Sequence, residues 1–147
     1  GITNAQINKF ELPENGGVIE IIAGEYENIK GTAATFTPVY LLNTKLNKGA
    51  KASFNFPANY NTALLVIEGS VKVNDIKNIS TDHFALFENE GEEFTIEATE
   101  NTVVLVLSGE PIEEPIVAHG PFVMNTQTEI MQAFYDMNIG KFGYLED

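Results

Sequence analysis

The sequence predicts an all-β domain, a sandwich or barrel of short strands, followed by a single C-terminal helix. Three observations carry the prediction. From residue 17 onward, short runs rich in Val, Ile, Phe, Tyr and Thr recur along the chain. Turn residues separate them at the spacing of a sandwich or barrel. Only the C-terminal stretch places its apolar residues at helical intervals.

In chain order the candidate strands are VIEIIAG (18–24), TPVYLLNTKL (37–46), KASFNF (51–56), ALLVIEG (63–69), SVKVN (70–74), HFALFE (83–88), EFTIEA (93–98) and TVVLVLSG (102–109). KASFNF and EFTIEA alternate apolar with polar residues, the mark of a strand with one solvated face, whereas ALLVIEG and TVVLVLSG are apolar enough to be buried on both. Asn47-Lys48-Gly49, Glu68-Gly69-Ser70, Asn74-Asp75 and Asn89-Glu90-Gly91 fall between runs, where Gly and Asn tolerate positive φ. After the last strand, SGEPIEEPIVAHGPFVMN (108–125) mixes three prolines with Ile112, Ile116, Val117, Phe122, Val123 and Met124, an apolar content that asks for a packing partner. Thr126 and Glu129 then have capping-box spacing. Ile130, Ala133, Phe134 and Met137 follow at helical intervals until Gly140 offers a stop, which predicts a helix over about 127–139.

The chain has 147 residues, enough for one core and too few for two. Residues 1–16 read as a linker or N-terminal extension, 17–110 as the barrel, and 111–147 as the Pro/Gly segment and helix, packing on the barrel or on a domain outside the chain. Twenty-one acidic groups against eight lysines and no arginine give a formal charge of −13, which argues against direct nucleic-acid contact and against anionic membranes. Cysteine is absent, so thiolate ligands, thiol nucleophiles and disulfides are excluded. There is no run long enough to span a membrane and no leader-like N-terminus, so the expected setting is the cytoplasm. A start at Gly1 reads as a processed or trimmed chain, a piece of something longer.

Candidate chemistry is sparse. His83 and His119 are the only imidazoles, with neither HxH nor HxxxH spacing, and they read as structural or surface residues rather than ligands. Glu88, Glu90, Glu92 and Glu93 surround Gly91 without the spacing of a calcium loop, and read as a solvated hairpin edge. No Gly-x-Ser-x-Gly occurs, and Gly16-Gly17 precedes a strand rather than a helix N-terminus. No catalytic residue is assigned.

The segment GEPIEEPIVAHGPFVMNTQTEI (109–130) closely resembles the C-terminal signature of the pirin family. Residues 18–50 and NYNTALLVIEGSV (59–71) resemble the opening and the Glu-Gly-Ser hairpin of that family's second domain. The resemblance implies a double-stranded β-helix, the cupin or jelly-roll barrel, with a C-terminal α-helix. Pirins are two-cupin proteins whose N-terminal barrel holds iron through three histidines and a glutamate; they are linked to quercetin 2,3-dioxygenase-like chemistry and, in eukaryotes, to transcriptional co-regulation. This chain resembles only the second barrel. The cupin spacing Gly-x5-His-x-His-x4-Glu-x6-Gly fits without a gap from Gly49 to Gly69, placing Asn55, Pro57 and Thr62 at ligand positions, with Thr102 at the fourth. The implied barrel is therefore vacant, with no cofactor in this chain and iron in the family's N-terminal domain. That domain is the implied partner, and His119, Pro121, Phe122 and Met124 are the expected interface. A truncated domain is expected to self-associate. The alternative is a small-ligand barrel or interaction module, with Tyr40, Phe54, Phe56 and Tyr60 lining its pocket.

Overall fold

The computed structural model describes residues 1–143. The strands are β1 (Asn8–Leu12), β2 (Gly17–Ala23), β3 (Glu25–Tyr26), β4 (Ile29–Lys30), β5 (Val39–Leu46), β6 (Lys51–Asn55), β7 (Asn61–Glu68), β8 (Ser70–Val73), β9 (Lys77–Ser80), β10 (Phe84–Leu86), β11 (Glu93–Ala98), β12 (Thr102–Gly109), β13 (Val117–His119) and β14 (Phe122–Met124), followed by helix α1 (Gln127–Asn138). A six-stranded antiparallel sheet runs β1-β2-β5-β12-β7-β10, and a four-stranded one β6-β11-β8-β9. Apart from the β1–β2 and β8–β9 pairs, neighbours in both sheets are not consecutive in sequence, the pattern of a jelly roll.

The pleat decides what is buried. Along β12, Thr102, Val104, Val106 and Ser108 are buried while the residues between them are half-exposed. The larger sheet contributes Ile19, Ile21, Leu42, Leu46, Leu64, Val66, Val104 and Val106 to the core, and the smaller sheet Phe54, Val71, Ile79, Phe94 and Ile96. Burying each side chain of this size stabilises the fold by about 1.5–3 kcal/mol. Among the buried polar residues Thr44 differs from the rest: it is fully buried, and its hydroxyl has no hydrogen-bond partner.

All eight expected strands form, within a few residues of their expected ends. Residues 8–12, assigned from the sequence to a linker or extension, instead form β1, which pairs with β2 along its whole length from Asn8 opposite Ile21 to Leu12 opposite Gly17. β9 was also not foreseen. The Asn74-Asp75 turn, with φ 49° and 56°, sends the chain straight back along β8. Two short hairpins complete the list. β3–β4 turns through Glu27 and Asn28, both at positive φ, and β13–β14 pairs Val117 with Met124. Gly69, at φ +80°, admits no side chain: a Cβ there would lie 2.4 Å from the Asn101 carbonyl oxygen and 2.5 Å from the Thr102 hydroxyl.

A first compact unit covers Gly1–Pro111, and a second begins at Ile112. In the second, Thr126 caps α1 as its sequence requires: its hydroxyl accepts the Glu129 N–H at 3.2 Å, and the Glu129 carboxylate accepts the Thr126 N–H at 2.8 Å. The helix lies against the β13–β14 hairpin, where Phe134 meets Phe122 edge-on at 5.0 Å. No helix among the described residues is long and apolar enough to cross a membrane.

Candidate functional site

The interior where a jelly-roll barrel would hold a metal is framed by β6, β11 and the start of β7. On β6 the buried residues are Ala52 and Phe54, and just past its end Phe56; Asn55 and Pro57 point to solvent. Across the ladder Phe54 faces Phe94 and Asn55 faces the exposed Glu93. The gapless motif fit is thus out of phase with the pleat, since a shift of one residue moves every side chain to the other face. Asn55 and Pro57 are not interior ligand positions; the residues that occupy the interior are Phe54 and Phe56.

Thr62 does face inward and is buried, but its hydroxyl is engaged with Ser108 on the neighbouring strand at 2.8 Å. Thr102 is buried as well, yet it lies at the opposite end of β12 from Ser108, so it does not converge with the other three. Its hydroxyl clamps the tight turn at Gly69, accepting the Ser70 N–H at 3.0 Å and lying 2.9 Å from the Glu100 carbonyl. The inward residue beside Phe54 is Phe94.

What fills the interior is a stack of rings. Phe54 lies 5.2 Å from Phe94 and 6.3 Å from Phe56; Phe94 lies 4.4 Å from Phe87; and Tyr40 lies 4.8 Å from Phe56 and 6.3 Å from Tyr60. Phe54 is 1% exposed and Phe56 5%. These separations are those of favourable offset and edge contacts. Tyr26 extends the stack to Phe54 at 5.5 Å and donates its hydroxyl to the Ser53 carbonyl at 3.1 Å. Burial first, and then the nearby Glu27 carboxylate, push its pKa up to about 12. The four residues expected to line a ligand pocket therefore do come together, Phe54 and Phe56 as packed core, with Tyr40 and Tyr60 half-buried beside them. The recess left beside them, lined by Phe56, Tyr60, Thr62, Phe87 and Phe94 and rimmed by the Glu88–Glu93 loop, holds about 70 Å³. A drug-sized ligand needs roughly 300–1,000 Å³. At its mouth, desolvation and then the Glu110 charge raise the Tyr60 pKa.

The donor set does not suit iron, which takes imidazole, carboxylate or thiolate; the phenylalanine rings present no lone pair, and the Thr62 and Ser108 hydroxyls are bonded to each other. Among the described residues no three His, Asp or Glu side chains are grouped to hold an ion. His83 is exposed in the turn before β10, its Nδ1 3.0 Å from the Thr81 carbonyl and 3.3 Å from the Ser80 hydroxyl. His119 is exposed on the β13–β14 hairpin, 5.5 Å edge-on from Phe134. Of the expected interface residues, Pro121 is exposed, while Phe122 and Met124 are half-buried, with the Phe122 ring held by Phe134. Sequence reasoning missed Phe94 and Phe87 as partners of Phe54. It also missed the buried Glu20, whose carboxylate lies 3.1 Å from Lys9 and 3.0 Å from Lys45 and accepts a bond from Asn43 at 2.7 Å.

Two facing antiparallel sheets with this strand order, enclosing one core, define a cupin domain. Residues 41–143 match the model of the pirin C-terminal cupin domain, and the chain belongs to that family. It is 32% identical to human pirin over 146 residues, covering 95% of this chain and 50% of that protein. With the pirin-like protein of Solanum lycopersicum it shares 33% over 134 residues, 89% of this chain and 46% of the relative. A crystal structure described as quercetin 2,3-dioxygenase from Acinetobacter baumannii superposes with a TM-score of 0.91 at 43% identity, covering 99% of this chain and 50% of that one. The chain thus spans about half the length of the relatives it matches.

Proposed function

We propose that this chain is the supporting C-terminal cupin domain of a two-cupin, pirin-like protein, and that the other half holds the iron and performs any quercetin-dioxygenase-like oxidation. The observation that carries the reading is the ring stack of Phe54, Phe56, Phe87 and Phe94 in the barrel interior, with Thr62 and Ser108 bonded to each other. A barrel filled in this way contributes stability and a surface, and lacks the side chains that would bind and turn over a substrate. The half-length match to pirins and to a quercetin 2,3-dioxygenase supports the presence of a second domain. A cytoplasmic setting belongs to the same proposal.

The test is elemental mass spectrometry of the untagged 147-residue chain, expressed with iron, nickel, zinc and manganese supplements. Far less than one equivalent of any metal is expected. Near-stoichiometric metal would overturn the reading and require a site built on His83 or His119.

A further inference from the structure

We propose that the cleft between β9 and β10 is a binding site for a small apolar carboxylate, with Lys77 receiving the anionic end and an apolar floor receiving the body. The site does not depend on the two-domain reading. β9 is the last strand of the smaller sheet and β10 the last of the larger, and the turn Thr81–His83 joins them. No strand closes the gap between these two edges, and the space there holds about 520 Å³. That falls within the roughly 300–1,000 Å³ of small-molecule sites, against about 70 Å³ for the recess beside the rings.

Strand parity decides what faces the cleft. On β9, Ile79 is buried, and Lys77, two residues away, shares its face; Lys77 also stands opposite the buried Val73 on β8. On β10, Ala85, and Phe87 just past its end, pack against the core. Phe84 and Leu86, of the other parity, are 62% and 71% exposed and border the opening. The floor is therefore Val73, Ile79, Ala85 and Phe87, with Phe87 held against Phe94 at 4.4 Å. Lys77 is an ammonium on the core-side face of its strand.

Charge sets the ligand class. The chain carries 21 acidic groups against eight lysines, yet none of the residues lining the cleft is acidic. Asp75, Asp82 and Glu88 flank it in sequence without lining it, and Asp75 lies 3.8 Å from Lys51 instead. The other basic side chain of the cleft, His83, is engaged through Nδ1 with the Thr81 carbonyl at 3.0 Å. Lys77 forms no ion pair with a described residue, whereas Lys9, Lys45, Lys51 and Lys141 each have one. A lone ammonium over an apolar floor matches a ligand with one anionic end and an apolar body, in which a single polar contact fixes orientation and the floor supplies buried area. An added peptide strand fits less well, because the four residues of β9 and three of β10 offer ladders shorter than the usual five or six.

The test titrates naphthoate and, in parallel, the uncharged naphthalenemethanol into the isotope-labelled 147-residue chain, followed by NMR. Saturable shifts of the amides of residues 77–79 and 85–87 are expected, with naphthoate bound more tightly than the alcohol. Lys77→Gln, at an exposed side chain, is expected to weaken naphthoate about five-fold, near the upper end for one exposed ion pair, and to leave the alcohol unchanged. Lys48→Gln, at an exposed lysine outside the cleft, controls for net charge and should change neither. Equal affinity for acid and alcohol, or equal weakening by both substitutions, would overturn the proposal, as would shifts that do not saturate or that map elsewhere. Binding that is present in this chain and absent in the natural full-length polypeptide would mean that protein covers the cleft, and would overturn it too.

Discussion

Truncating Phe54 to alanine tests whether rings really fill the barrel. Phe54 is 1% exposed and touches three other rings, Tyr26 at 5.5 Å, Phe94 at 5.2 Å and Phe56 at 6.3 Å. Removing a buried phenyl ordinarily costs about 3–5 kcal/mol, the transfer loss plus the void it leaves. Three aromatic partners, each worth about 0.5–1.5 kcal/mol beyond area, place Phe54→Ala toward the upper end of that range. For a unit of this size, about 4 kcal/mol corresponds to a fall of roughly 15 °C in Tm. The neighbouring Asn55→Ala, on an exposed residue, is expected to stay within about 0.5 kcal/mol. Urea unfolding followed by circular dichroism, with calorimetry alongside, measures both. A loss below about 1 kcal/mol for Phe54→Ala, or an equal loss for Asn55→Ala, would refute the assigned phase of β6 and the filled interior with it.

The same phase can be read by titration. By NMR, a histidine introduced through Asn55→His should titrate near the ordinary value of about 6.5, while one introduced through Phe54→His should titrate below it, because burial disfavours the charged form; equal values would reverse the assignment. For Glu20, burial alone would raise the pKa, but hydrogen bonds from Lys45, Asn43 and Lys9 together outweigh it and leave the pKa below its ordinary 4.5. A carboxyl lowered on folding stabilises the fold above the unfolded-state value and loses that contribution as pH falls through the folded one. Stability of the parent chain should therefore drop more steeply below pH 4.5 than that of Glu20→Gln, and parallel acid-unfolding curves would contradict this. Thr44→Val removes a buried hydroxyl that has no partner, so it should be neutral or stabilising by about 1 kcal/mol in denaturant unfolding, whereas a clear loss would reveal a partner for that hydroxyl.

How much was legible follows from how the signals arise. Runs rich in Val, Ile and Phe stand out in the sequence, and all eight formed strands, of three to eight residues. β9, Lys-Asn-Ile-Ser, buries only Ile79, and β1 buries only Leu12, so neither offers a period to detect. Hairpins of two and three residues are set by backbone geometry, such as the positive φ of Glu27 and Asn28, rather than by composition. The helix was visible because Thr126 and Glu129 form the reciprocal cap that their spacing implies. The site was misread by one residue for a definite reason. A pattern of fixed spacing counts residues, whereas a strand sorts them by parity, and the alternation of KASFNF already placed Ala52, Phe54 and Phe56 on one face. Parity should decide where a spacing match and a pleat disagree, because burying Asn55 in place of Phe54 would strand a polar side chain and expose a ring.

The two apolar runs flagged in the sequence connect the interior to the surface. ALLVIEG and TVVLVLSG each carry five hydrophobic residues in a row, a pattern that alternation within one sandwich does not use in full, since about half of those residues point outward. Val104, Val106 and Ser108 are buried in this chain; Leu105 and Leu107, between them, remain half-exposed, in line with Phe84 and Leu86. Leaving that row in water forgoes about 25 cal/mol for every Å² a partner would cover. Inside, the rings of Phe54, Phe56 and Phe94 stand where ligand side chains would have to project. Both features direct the sequence toward packing: the inner face of the sheet closes this barrel on itself, and the outer face keeps Leu105 and Leu107 half-exposed in line with Phe84 and Leu86.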